Sequence, residues 1–183
     1  MGDGDVHRAL EKLIRLLEED GISYAIVGAM ALNEHGYRRA TEDVDVLLNR
    51  AGLLRFKERH LGLGYVERFP GSKGLKDTEN RVNIDVLLAG DYPGDGRPGP
   101  IPFPDPAEVA ERGARGAFLP LAKLVELKLA SGMTAPHRLK DLADVLEVIR
   151  ALGLERAFAE SLDPWVRAKF LELWEAAQGA EPE

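Results

Sequence analysis

The chain has 183 residues, 45% of them hydrophobic and 30% charged, enough for one domain with a real core or for one domain with a helical appendage. A formal net charge of −7 argues against a dedicated duplex-DNA binder, which carries a basic face, though not against a local basic cleft. There is no cysteine, which excludes disulfides, thiolate catalysis and cysteine-ligated zinc.

The opening stretch MGDGDVHRALEKLIRLLEEDG is charged and amphipathic, without a signal-peptide pattern. No run reaches the length of a bilayer span, so the expected compartment is the cytoplasm, with no membrane partner. Over residues 5–19, Val6, Leu10, Leu13, Ile14 and Leu17 make one helical stripe, ended by Asp20 and Gly21. SYAIVG then reads as a buried strand stopped by Gly28, and AMALNEHG as a short helix closing at Gly36. DVDVLLN is a second strand, AGLLRFKERHLGLG a helix with a glycine exit, and YVERF a third strand. PGSKGLKDTEN is a polar loop, or a loop with a hairpin, and RVNIDVLLAG is a fourth strand.

The stretch GDYPGDGRPGPIPFPDP is too rich in Pro and Gly for a helix or a central strand and predicts an irregular crossover. GAFLPL offers one more short strand. Helices are predicted over 121–131, 137–151, 153–161 and 164–177, with Asp163-Pro164 as a start signal and residues 179–183 as a frayed tail. The order predicts an α+β fold: a mixed β-sheet core flanked by helices over 1–92, a Pro/Gly-rich crossover with room for an extra strand over 93–119, and a C-terminal helical region over 120–178.

Two strands carry acids where apolar residues are expected. Asp43 and Asp45 share one face of DVDVLLN, with Cα atoms about 6.5 Å apart, and Val44 and Val46 face the other way. Like charges this close repel unless something positive joins them, and magnesium, a hard cation with oxygen ligands, is the natural joiner. The plain alternative is a solvated strand face with each aspartate paired to Arg38, Arg39 or Arg50. Asp85 repeats the pattern in VNIDVLL, between Ile84 and Val86; its own plain alternative is a salt bridge to Arg81 or a strand-end position. If the two strands are neighbours, three carboxylates meet. The junction of strand, Gly28 and a helix opened by Ala29 presents backbone N–H groups that suit an anion.

VGAMALNEHGYRRATEDVD followed by NIDV resembles the nucleotidyltransferase superfamily with the polymerase-beta-type fold. That family's signature is an apolar residue, Gly, then Gly or Ser, a spacer of roughly a dozen residues, Asp-x-Asp/Glu, and a later acidic strand. RATEDVDVL is similar to small bacterial members, among them abortive-infection-type toxins and antibiotic nucleotidyltransferases, and LAKLVELKLASG with HRLKDLADVLEVI resembles their helical half. The resemblance covers residues 20–150 and departs at Ala29, where Gly or Ser is the rule; serine would offer a hydroxyl to the triphosphate and alanine offers backbone only.

What the resemblance implies is transfer of a nucleoside monophosphate from a nucleoside triphosphate such as ATP to an acceptor hydroxyl on a small molecule, an RNA end or a protein, with release of pyrophosphate. Asp43, Asp45 and Asp85 would be the catalytic, metal-holding residues for two Mg²⁺ ions. Gly28, Ala29, Arg39, Thr41, Lys128 and Lys140 would serve the nucleotide. For Arg39 and Thr41 the alternative is a turn at the start of the strand, with Thr41 bonded to backbone. For Lys128 it is a snorkelling lysine, and for Lys140 an exposed pair with Asp144. A toxin–antitoxin component with a partner protein, or a non-catalytic nucleotide-binding module, is the second expectation. Lys73 and Lys76 read as solvated loop charges rather than as groups that close over phosphates, and the four histidines show no metal-ligand spacing.

Overall fold

The apolar stripe near the start forms α1 (Asp3–Glu19), in which Val6, Ala9, Leu10, Leu13, Ile14 and Leu17 are all buried. It leads to β1 (Tyr24–Ile26), α2 (Gly28–Glu34), β2 (Asp43–Leu48) and α3 (Arg50–His60), the last capped by the Asn49 side chain, which accepts from the Gly52 N–H. Then come β3 (Tyr65–Glu67), β4 (Leu75–Asp77), β5 (Val82–Leu88), α4 (Pro106–Val109), β6 (Glu111–Arg112) and β7 (Ala117–Phe118). In this computed structural model, which describes residues 3–179, these strands form one mixed seven-stranded sheet in the order β3-β4-β5-β2-β1-β7-β6.

Side-chain alternation sorts the sheet into two faces. β2 and β5 run parallel with Val44 beside Ile84 and Val46 beside Val86, all buried, while Asp43, Asp45 and Asp85 point the other way and are half-buried. Ile26 of β1 pairs with Val46, and Phe118 of β7 pairs with Ile26, so both lie on the apolar face. On β4, Asp77 pairs with Val82 and so shares that face, where the Lys12 Nζ of α1 reaches it at 2.9 Å. Helix α1 therefore covers the apolar face, and the aspartates occupy the opposite one.

Two units divide the chain: residues 3–90 with Phe103–Pro120, and Asp91–Pro102 with residues 121–179. The second unit holds α5 (Leu121–Thr134), α6 (Leu139–Leu152) and α7 (Pro164–Gly179). Its interior is built by Leu124, Val125 and Leu129 of α5, Val145, Val148 and Ile149 of α6, and Val166 and Phe170 of α7. Gly153 closes α6 in the left-handed conformation at φ 60°. The buried Glu126 carboxylate accepts from Lys123 and from the Asp163 N–H, both at 2.7 Å, and so anchors the start of α7 inside the unit.

The structure differs from the sequence expectation in three places. The polar stretch 70–80 contains β4, as the hairpin alternative has it, but Lys76 lies on that strand rather than in a loop. The segment expected to be helical over 153–161 is a 3₁₀ helix, Arg156–Ser161. The Pro/Gly crossover carries α4, started by Asp105, whose side chain accepts from the Ala107 N–H, and the short strand β6. Of the expected frayed tail, residues 180–183 lie outside the described residues. No helix among the described residues is long and apolar enough to cross a membrane.

Candidate active site

Register brings the three acids together. Asp45 of β2 is the direct lateral partner of Asp85 of β5, and Asp43 is the partner of Asn83 one pleat away. Neighbouring strands lie about 4.8 Å apart, so Asp45 and Asp85 are adjacent side chains on one face, with Asp43 about 6.5 Å along the strand. Lys76 pairs with Asn83 and shares this face, two strands from Asp43. Arg68, just beyond β3, places its guanidinium on the Asp85 carboxylate. The Arg81 partner considered for Asp85 is thus replaced by Arg68, which comes from the other side of the hairpin.

The Gly28 junction closes the site from the β1 side. Val27 donates its N–H to the Asp45 carbonyl at 3.0 Å, which ties the end of β1 to the acid strand. Gly28 sits at φ +62°, and a Cβ there would be driven into the Asp45 carboxylate. Only glycine lets that carboxylate lie over the backbone where α2 begins. Val27, at the N-cap, supplies no side-chain acceptor to the first-turn N–H groups. Gly28→Ala is therefore expected to cost at least about 1–2 kcal/mol from the left-handed backbone alone, and to push Asp45 aside. Urea denaturation reads the first effect.

The Thr41 hydroxyl donates to the Asp43 carbonyl at 2.9 Å and accepts from the Asp43 N–H at 3.3 Å, which matches the turn alternative and positions the strand backbone. The Asn33 side chain clamps Arg39, accepting from its N–H at 2.6 Å and donating to its carbonyl at 3.0 Å. Lys128 and Lys140 belong to the helical unit. There the Lys128 ammonium pairs with Asp144 at 2.7 Å and Asp141 at 3.1 Å, and Ser131 donates to the other Asp141 oxygen at 2.6 Å. Lys140 is exposed in the first turn of α6.

Three carboxylates on adjacent positions are oxygen donors of the kind a hard divalent cation takes, and the guanidinium of Arg68 shows that this face holds a positive charge. Among the described residues, no three His, Asp or Glu side chains converge tightly enough to make a ready-formed metal cage. The donors are of the type such a cation takes, and in this structure the Asp85 carboxylate is held by Arg68. Arg68 is a neighbour of the acids that sequence reading missed, and Lys76 is one that it set aside as a solvated charge. Their signal lay in the hairpin pairing of β3 with β4, which folds both back to the acid strands.

No protein-family model and no curated protein matches the sequence. The structure is similar to that of ANT(2″)-Ia in complex with adenylyl-2″-tobramycin, with 14% identity over 93% of this chain and 95% of that one and a TM-score of 0.55. It is similar to a candidate nucleotidyltransferase from Thermotoga maritima, with 15% identity over 80% of this chain and 96% of that one and a TM-score of 0.53. A candidate nucleotidyltransferase from H. pylori aligns at 13% identity over 97% of this chain and 95% of that one, with a TM-score of 0.50. The chain shares the fold of these solved structures.

Proposed function

We propose that the chain transfers a nucleoside monophosphate from a nucleoside triphosphate to an acceptor hydroxyl and releases pyrophosphate. The observation that carries this reading is the registered row of Asp45 and Asp85, with Asp43 beside them, over the Gly28 bend. Asp43, Asp45 and Asp85 would hold two divalent magnesium ions, and Asp85 would accept the proton of the attacking hydroxyl. When bound, the magnesium neutralises the triphosphate and the oxygens that attack and leave the α-phosphorus. The new bond joins the acceptor oxygen to the α-phosphorus, the α–β P–O bond breaks, and its electrons leave with pyrophosphate.

The other groups hold and orient. The backbone N–H groups at Gly28 and Ala29 face the phosphates, Thr41 fixes the Asp43 backbone, and Lys76 draws anionic substrate to the face. Arg68 keeps Asp85 charge-balanced until substrate arrives. The adenylylated tobramycin held by ANT(2″)-Ia supports a small-molecule acceptor here, ahead of an RNA end or a protein side chain. Ala29 favours a second reading, a nucleotide-binding or toxin–antitoxin module without turnover, because it lacks the hydroxyl that the family signature supplies.

A triphosphate screen tests both. Under the first reading, one triphosphate with Mg²⁺ raises the melting temperature and releases pyrophosphate once an acceptor pool is added. Stabilisation without turnover selects the second reading. Saturation at a hundred times Kd adds about 2.7 kcal/mol, so the shift is readily measured.

A further inference from the structure

A cleft of about 490 Å³ lies within the sheet unit, lined by α1, α2, the 38–41 loop and the turn between β6 and β7. That volume falls in the ordinary range for small-molecule sites, roughly 300–1,000 Å³. Its apolar wall is Val6 and Leu10 of α1, Met30 of α2 and Phe118 of β7, all buried. Phe118 and α1 belong to the face of the sheet opposite the aspartates, and the cleft reaches from there to Thr41, two residues before Asp43.

Its polar wall is cationic. Arg38, Arg39 and Arg115 line it, against one carboxylate, Glu34. Neither Arg38 nor Arg115 makes an ion pair among the described residues, and both are exposed. Three guanidiniums gathered at one cleft are unexpected in a chain of net charge −7. The framework that presents them is fixed: Asn33 clamps the Arg39 backbone, and the Glu34 carboxylate accepts from the Ala114 N–H at 3.4 Å. Gly113 lies so close to Glu34 that a Cβ would meet its carboxylate, so the turn carrying Arg115 packs tightly on α2.

We propose that this cleft binds a small organic anion, a phosphate or carboxylate carried on a flat apolar body. The Arg38 and Arg115 guanidiniums take the anion in forked hydrogen bonds, and Met30 and Phe118 take the body. Thr41 lines the same cleft and bonds the Asp43 backbone, so an occupant touches the loop that leads into the acid strand.

The probe is phenyl phosphate, titrated calorimetrically into the full chain in EDTA, with inorganic phosphate and phenol as separate arms. The expected result is one site with Kd near about 1 mM or tighter, with either fragment alone at least about tenfold weaker. Arg38→Gln and Arg115→Gln, both at exposed positions and checked for folding by circular dichroism, each weaken phenyl phosphate by at least about tenfold. Asp45→Asn leaves the affinity unchanged, which separates this site from the proposed catalytic one. No saturable binding below about 10 mM, equal binding by the arginine variants, or loss of binding in Asp45→Asn each overturns the proposal.

Discussion

Asp45→Asn is expected to abolish pyrophosphate release from triphosphate and Mg²⁺ while the chain stays folded. Asparagine keeps the volume and one carbonyl oxygen, so packing against Gly28 survives. It removes the negative charge at the centre of the row, between Asp43 along β2 and Asp85 across on β5. Charge stabilisation by a held cation is worth several kcal/mol in the transition state. At 1.36 kcal/mol per decade, a loss of about 4 kcal/mol is roughly a thousandfold in rate. Steady-state pyrophosphate release measures it, and the thermal shift given by nucleotide plus Mg²⁺ should vanish with it. Turnover within tenfold of the parent would remove Asp45 from the chemistry.

The acid row was half legible in the sequence. Alternation alone puts Asp43 and Asp45 on one face and sets Asp85 in a greasy strand, because period two is a local property. Register is not local. That Asp45, rather than Asp43, faces Asp85 follows from how β2 and β5 pair across the intervening residues 49–81. The same reasoning explains Arg68 and Lys76. Each is an ordinary surface charge in the sequence, and only the hairpin of β3 and β4 carries it to the acids. Lys128 illustrates the converse. It sits among apolar residues in a helical period and so draws notice, yet its ammonium is met by Asp141 and Asp144 thirteen and sixteen residues on.

Elements with strong periodicity came through with small boundary shifts, and so did the short strands β1, β3 and β7, whereas α4 and β6 did not. β6 and α4 are too short to show a period, and they sit in a stretch whose Pro and Gly content speaks for loop. The three arginines of the cleft fared the same way. Arg38 and Arg39 are neighbours in the chain, but Arg115 joins them only because β7 pairs with β1 and its turn packs on α2.

Lys12→Met should destabilise the fold by about 3–5 kcal/mol at neutral pH, a large part of the 5–15 kcal/mol a domain of this kind possesses. Asp77 is fully buried on the α1 face of the sheet. It accepts from the Lys12 Nζ at 2.9 Å, the Glu79 N–H at 3.0 Å, and the Asn80 side-chain amide at 2.7 Å. Methionine keeps most of the stem that packs beside the Tyr65 ring, but it leaves this carboxylate without a counter-charge. Burial pushes the Asp77 carboxyl up, yet the bonds from Asn80 and Lys12 outweigh it and hold the group below the usual carboxylate value. A depressed folded value means that the stabilisation is complete above the unfolded value near about 3.9 and is lost as pH falls through the folded value beneath it. In Lys12→Met the folded value rises, so acid unfolding begins at higher pH. The gap between parent and variant is then widest near neutrality and narrows in acid, where Asp77 is protonated in both. Urea melts from pH 3 to 8 read both trends. Adding Asp77→Asn to Lys12→Met should recover part of the loss, because a neutral amide has no buried charge left to compensate. Equal urea midpoints for parent and Lys12→Met at pH 7 would show that the chain does not depend on this pair.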